Sequence, residues 1–119
     1  MSKSLTLKDN RDFRRLYNRG KSYVSPVLVT YIMKNRTNNL RYGITTGRKI
    51  GNAVKRSRSR RVIRAAFYGL EPGIKPGYDL VFVARGKTPY VKSYVVEKAM
   101  RDALTQAGLL RNAEEKGSM

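Results

Sequence analysis

Apolar residues recur along this chain with two different spacings, and the switches between them mark its elements. Phe13, Leu16 and Tyr17 lie at i, i+3 and i+4 with Arg14, Arg15 and Arg19 off that face, which is the period of a helix. Thr6-Leu7-Lys8-Asp9 has capping-box form, so this helix is predicted to start near Leu7 and stop at Gly20, with Asp9 and Asp12 in a first turn whose dipole favours negative charge. Tyr23-Val24 could form a very short strand, and Val27 through Met33, rich in β-branched and aromatic residues, predicts a longer one. Asn35 through Asn39 reads as a polar turn and Leu40 through Thr46 alternates with period two. The two longer strands are therefore expected to pair as an antiparallel hairpin.

The segment Ile50 to Leu70 returns to helical spacing. At 100° per residue, Ser59, Val62, Ile63, Ala66, Phe67 and Leu70 fall on one side. Arg58, Arg60, Arg61 and Arg64 fall on the other, with Arg56 near the boundary. After the turn-rich Glu71 through Gly77, the run Tyr78 through Ala84 is apolar on both faces and predicts a central strand. A last helix is expected from about Ser93 to Ala107, with Val96, Ala99, Met100, Ala103, Leu104 and Ala107 as its buried stripe and Gly108 as its cap. Residues 1–111 thus read as one α+β domain in the order αβββαβα, and residues 112–119 as a disordered tail.

Composition narrows the chemistry. The 119 residues suit one small domain, and no stretch approaches the roughly 20 apolar residues of a membrane span, so a cytoplasmic protein without a membrane partner is expected. With no His and no Cys, the usual zinc ligands, imidazole-assisted nucleophiles and disulfides are all excluded. The eight acids are scattered, so neither catalytic residues nor a metal site are expected in the chain itself. Lys and Arg number 26, a net charge of +18. Fifteen of them lie between Phe13 and Leu70, where there is no acid at all. Such a block repels itself unless a polyanion screens it, and nucleic acid is the polyanion expected.

Two motifs bear on phosphate chemistry. Arg85-Gly86-Lys87-Thr88 follows a strand, but a phosphate loop needs glycine five residues before Gly86, where Val81 stands. Lys55-Arg56-Ser57-Arg58-Ser59-Arg60-Arg61-Val62-Ile63-Arg64 is the informative run. Arginine offers bidentate geometry to phosphate and stacks on bases, which suits a folded RNA better than a DNA groove. Phe13, Tyr17 and Tyr31 could line a groove between helix and sheet where bases of a single strand stack, or could belong to the core.

Taken together, Asp12-Phe13-Arg14-Arg15-Leu16-Tyr17 with Gly20-Lys21, Gly47-Arg48-Lys49-Ile50-Gly51-Asn52-Ala53-Val54, the arginine run through Arg64-Ala65-Ala66-Phe67, and Gly77-Tyr78-Asp79-Leu80-Val81 resemble the protein subunit of bacterial ribonuclease P over about residues 5 to 110. The resemblance implies a mixed, mostly antiparallel sheet and a left-handed βαβ crossover through the arginine-rich helix. It implies an accessory subunit of an endoribonuclease: a catalytic RNA partner cuts the 5′ leader from precursor tRNA, with Mg²⁺ held through that RNA. No protein partner is implied. It carries contacts with the catalytic RNA onto Arg48, Lys49, Lys55, Arg56, Arg58, Arg60, Arg61 and Arg64, and a leader cleft onto Phe13, Tyr17, Tyr31 and Ser57. Two positions depart from the family pattern: Ser57 stands where Asn is usual, and Ser59 where Lys is usual. On composition alone, a structural RNA-binding protein of ribosomal type fits equally well.

Overall fold

In the computed structural model, which describes residues 4–111, the elements are β1 (Leu5–Thr6), α1 (Asn10–Arg19), β2 (Lys21–Val24), β3 (Leu28–Lys34), β4 (Arg41–Thr45), α2 (Ala53–Leu70), β5 (Tyr78–Ala84) and α3 (Ser93–Gln106). Short 3-10 turns occupy Arg48–Ile50, Glu71–Gly73 and Thr88–Tyr90. The expected tail, 112–119, lies outside the described residues. The first helix begins at Asn10 rather than near Leu7. Leu5 and Thr6 pair with β4 instead, where the Leu5 and Leu7 amides donate to the carbonyls of Leu40 and Tyr42, each at 2.8 Å. The capping side chain is Asp9, which accepts from the Arg11 amide at 2.9 Å. Arg11 lowers the Asp9 pKa, first through that backbone hydrogen bond and then through its guanidinium.

The strands form one sheet in the order β1-β4-β5-β3-β2. The expected hairpin between β3 and β4 does not form. Instead β5 runs between them, antiparallel to β3 and parallel to β4, so the four strand pairs divide evenly between parallel and antiparallel and the sheet is not mostly antiparallel. The reason is burial: β5 is apolar on both faces, with Leu80, Val81 and Phe82 fully enclosed, and only a central position covers both. The Asn35–Asn39 turn must then span two strand spacings, about 10 Å. The Asn35 side chain braces it, donating to the Asn39 carbonyl and accepting from Thr37, while the Asn35 and Gly77 amides tie its two ends to the start of β5.

One face of the sheet carries the main core. Ile63, Ala66, Phe67 and Leu70 of α2 and Val96, Met100 and Leu104 of α3 pack on Leu28, Ile32, Leu80 and Phe82. The Phe67 ring stacks on Tyr42 at 4.2 Å between centroids and sits 5.6 Å from Phe82. The predicted buried arc of α2 is thus realised, including Ser59, whose hydroxyl donates to the Lys55 carbonyl at 2.9 Å. The end of α3 is closed by Gly108 at φ +76°, a left-handed conformation that favours glycine.

The opposite face holds α1 and, among the described residues, the one deeply buried charge. Asp79 is 1% exposed and receives Arg41 in a bidentate pair, Nε to Oδ1 at 2.7 Å and Nη2 to Oδ2 at 2.6 Å, with Asn35 donating to Oδ1 at 2.8 Å. The hydrogen bonds to Asp79 raise the Arg41 pKa still further above its ordinary value. This cluster ties β4, β5 and the β3–β4 turn together. Asp79→Ala leaves a half-buried guanidinium and the Asn35 amide without their acceptor, and should lower unfolding free energy by about 3 kcal/mol in urea titrations. A loss below about 1 kcal/mol would show that the cluster does not hold the strand order.

Candidate nucleic-acid interface

The arginine-rich helix is set by its entry. Gly51, at φ +132°, turns the chain after the exposed Arg48 and Lys49, and the Asn52 side chain caps α2 by accepting from the Lys55 amide at 3.0 Å. With Ser59, Ile63, Ala66, Phe67 and Leu70 facing the sheet, the cations are displayed away from it. They do not form one uniform array. Arg60 and Arg64 lean toward β4, where the Arg60 guanidinium donates to the Thr46 hydroxyl at 2.7 Å and both border a depression of about 370 Å³ with Tyr68 and Gly43. There burial raises the Tyr42 hydroxyl pKa, helped by Tyr68 and opposed by Arg64. Arg58 and Arg61 lean the other way, toward the start of α3. Arg56 folds back to donate to the Gly51 carbonyl at 2.6 Å, and the Lys55 ammonium lies 5.4 Å from the centre of the Tyr90 ring.

The ion pairs among the described residues are Arg11–Asp9, Arg15–Asp12, Arg41–Asp79 and Arg101–Glu97. None involves Arg48, Lys49, Lys55, Arg56, Arg58, Arg60, Arg61 or Arg64. Among the described residues these eight cations have no carboxylate partner, and an outside anion would relieve their mutual repulsion. Ser59 is fully enclosed and takes no part in the cationic face.

The aromatic candidates lie on the other side of the sheet. Strand register places Val24, Val29, Val83 and Thr45 in one row across β2, β3, β5 and β4; the next row is Ser22, Tyr31, Val81 and Gly43. Leu16 and Phe13 of α1 close over the second row together with Leu7. Gly43 permits this: a Cβ there would come within 2.5 Å of the Phe13 ring. Phe13 is accordingly a half-buried wall, part packing and part surface. The first row stays open, with Val24 exposed and Val29, Val83 and Thr45 half-buried. Tyr17 overhangs it, its ring edge-on to Tyr31 at 5.0 Å and its hydroxyl hydrogen-bonded to Thr45 Oγ1 at 2.7 Å.

The structure thus brings Phe13, Tyr17 and Tyr31 together beside an open apolar strip. Ser57 is exposed on α2, which packs on the opposite face. Sequence reasoning missed Thr45 and the valines of the first row. The signal was present in β3, whose seven residues are apolar at nearly every position and so could not have a solvated second face. Thr88, of the motif that resembled a phosphate loop, is buried and structural: it accepts from the Arg85 amide and donates to the Val27 carbonyl. Among the described residues no three His, Cys, Asp or Glu side chains gather, and no helix is long and apolar enough to cross a membrane.

Comparison with known proteins places the chain in a family. The family model described as "Ribonuclease P" matches residues 1–108. The chain is 37% identical to the "Ribonuclease P protein component" of Oceanobacillus iheyensis over 100% of its own length and 99% of the relative's. It is 42% identical to that of Clostridium beijerinckii, covering 91% and 92%. Among solved structures, the Staphylococcus aureus RNase P protein superposes with a TM-score of 0.79 at 28% identity, covering 92% of this chain and 100% of that one. The Thermotoga maritima RNase P protein gives 0.75 at 28% identity, covering 85% and 96%. The chain belongs to the bacterial ribonuclease P protein family: it is the protein component of an endoribonuclease whose catalysis resides in its RNA, and it binds that RNA and assists 5′ processing of precursor tRNA.

Proposed function

We propose that the two faces of the sheet divide the RNA work. The exposed cations of α2, with Arg48 and Lys49, grip the RNase P RNA, and the strip beneath Tyr17 and Tyr31 receives the 5′ leader of precursor tRNA. The observation that supports this most strongly is the separation itself: unpaired cations on one layer and an edge-to-face tyrosine pair over open apolar sheet on the other. Arginines take phosphates and folded RNA shape, whereas tyrosine rings take unstacked bases. Ser57, near the entry of α2, offers a hydroxyl in place of an amide fork to any base that reaches it. We assign Mg²⁺ to the RNA, since this chain's scattered carboxylates form no cation site among the described residues. The chain's own part is binding and orientation. The parallel β4–α2–β5 unit is assigned the left-handed crossing that the family resemblance implies.

If about six phosphates are neutralised, the logarithm of affinity for RNase P RNA should fall with the logarithm of salt concentration at a slope of roughly −4 to −5. Arg48→Ala with Arg61→Ala, both exposed and both free of ion pairs, should flatten that slope by about 1.5. An unchanged slope would remove the α2 assignment. Tyr17→Ala should weaken holoenzyme binding of leader-bearing precursor by about tenfold and leave mature tRNA unaffected. Equal losses on both would refute the leader cleft.

A further inference from the structure

At one edge of the α2 cations the surface continues onto α3, where no role has been assigned. Where α2 passes the start of α3, an open groove of about 420 Å³ is lined by Arg58, Arg61, Val62, Ala65, Lys92 and Ser93. Its floor is aliphatic, its rim carries three cations, and among the described residues no carboxylate lines it. Two exposed tyrosines bracket the lining residues Lys92 and Ser93 in sequence. Tyr90 is 66% exposed and Tyr94 69%, and Val54 at the start of α2 is 73% exposed. A single exposed tyrosine means little. Two of them next in the chain to the lining of a cationic groove make this part of the surface apolar and positive at once.

The groove is held in shape by the fold. Buried Thr88 pins the preceding turn to the chain just before β3 by donating to the Val27 carbonyl at 2.7 Å. The Arg58 guanidinium ties α2 to that turn by donating to the Pro89 carbonyl at 2.5 Å, and Lys55 lies against the Tyr90 ring. Arg61 and Lys92 make none of the ion pairs seen among the described residues and remain available. The first turn of α3 contains no acid and no capping side chain, so its dipole adds to the positive field already set by the cations.

We propose that this groove is a nucleotide subsite for an unpaired residue of the RNase P RNA, with Tyr94 as the stacking platform and Lys92 and Arg61 as ligands of the flanking phosphate. The occupant follows from the chemistry. Cations alone would suit any phosphate, but exposed rings beside them suit a base and its phosphate together, and in folded RNA such bases occur at bulges and loops. The subsite shares Arg61 with the α2 surface and lies on the sheet face opposite Tyr17 and Tyr31, so it belongs with the catalytic RNA and not with the leader. It rests on the assignment of α2 to that RNA.

The test measures binding of the full chain to transcribed RNase P RNA, without tRNA, across a salt series. Stacking is insensitive to salt and phosphate contact is not, so the two roles separate. Tyr94→Ala should weaken binding by about tenfold with the salt slope unchanged, and Tyr94→Phe should bind like the unaltered protein. Lys92→Ala should flatten the slope by about 0.7 to 0.9. Both side chains are on the surface, and circular dichroism of each variant should match the unaltered chain. If Tyr94→Ala and Lys92→Ala both bind normally while Arg48→Ala with Arg61→Ala does not, the groove assignment is overturned and the α2 assignment stands. If none of these changes matters, both fall.

Discussion

Covering β5 on both faces is the constraint from which the rest of the molecule follows. Leu80, Val81 and Phe82 are each fully enclosed, and they alternate between the two sides of the sheet. Strands must therefore flank β5, and helices must close both layers. Two helices, of 18 and 14 residues, serve one side; a single ten-residue helix serves the other. That helix is about 15 Å long and 10 Å wide, against a sheet about 19 Å across with strands about 23 Å long. It cannot cover the face. The row Val24, Val29, Val83 and Thr45 is the part left over, and Tyr17 and Tyr31 stand at its border because α1 ends there.

The cationic surface has a related origin. Packing against the sheet takes one arc of α2, where the side chains are aliphatic, aromatic or small. Everything else on that helix is free to carry charge without a packing cost, and the acid-free span means no carboxylate from Phe13 to Leu70 can neutralise it. Arg41 shows the contrast. It lies in the same span, yet it is consumed by Asp79 from outside it and serves the strand order. None of the ion pairs among the described residues gives an α2 arginine such a carboxylate partner.

These roles were unequally legible in the sequence. Both long helices and β5 could be placed within a few residues, because a strong apolar period reports burial directly. The pairing of β3 with β4 could not, since period-two alternation shows that a strand is half-buried and says nothing about its neighbour. The turn Asn35 through Asn39 would suit a hairpin, and its bracing to Asp79 and Gly77 is visible only once β5 is in place. The helix start was misplaced for the same reason: Leu5 and Thr6 are drawn into β1 by a partner some 36 residues away. Tyr17 and Tyr31 were legible as groove candidates because a tyrosine hydroxyl wants a polar edge, but Thr45, which supplies that edge to Tyr17, carries no signal of its own. Lys92, Ser93 and Tyr94 fall at a boundary between elements, where periodicity is silent.

The division of RNA between two faces is tested most directly by photocrosslinking. Precursor tRNA carrying 4-thiouridine throughout its 5′ leader would be bound to the reconstituted holoenzyme and irradiated, and the crosslinked peptides identified by mass spectrometry. Crosslinks are expected on peptides containing Tyr17 and the Val29 to Tyr31 stretch of β3, with α2 unlabelled beyond its entry near Ser57. Leader crosslinks confined to Arg58 through Arg64, with none on α1 or β3, would contradict it.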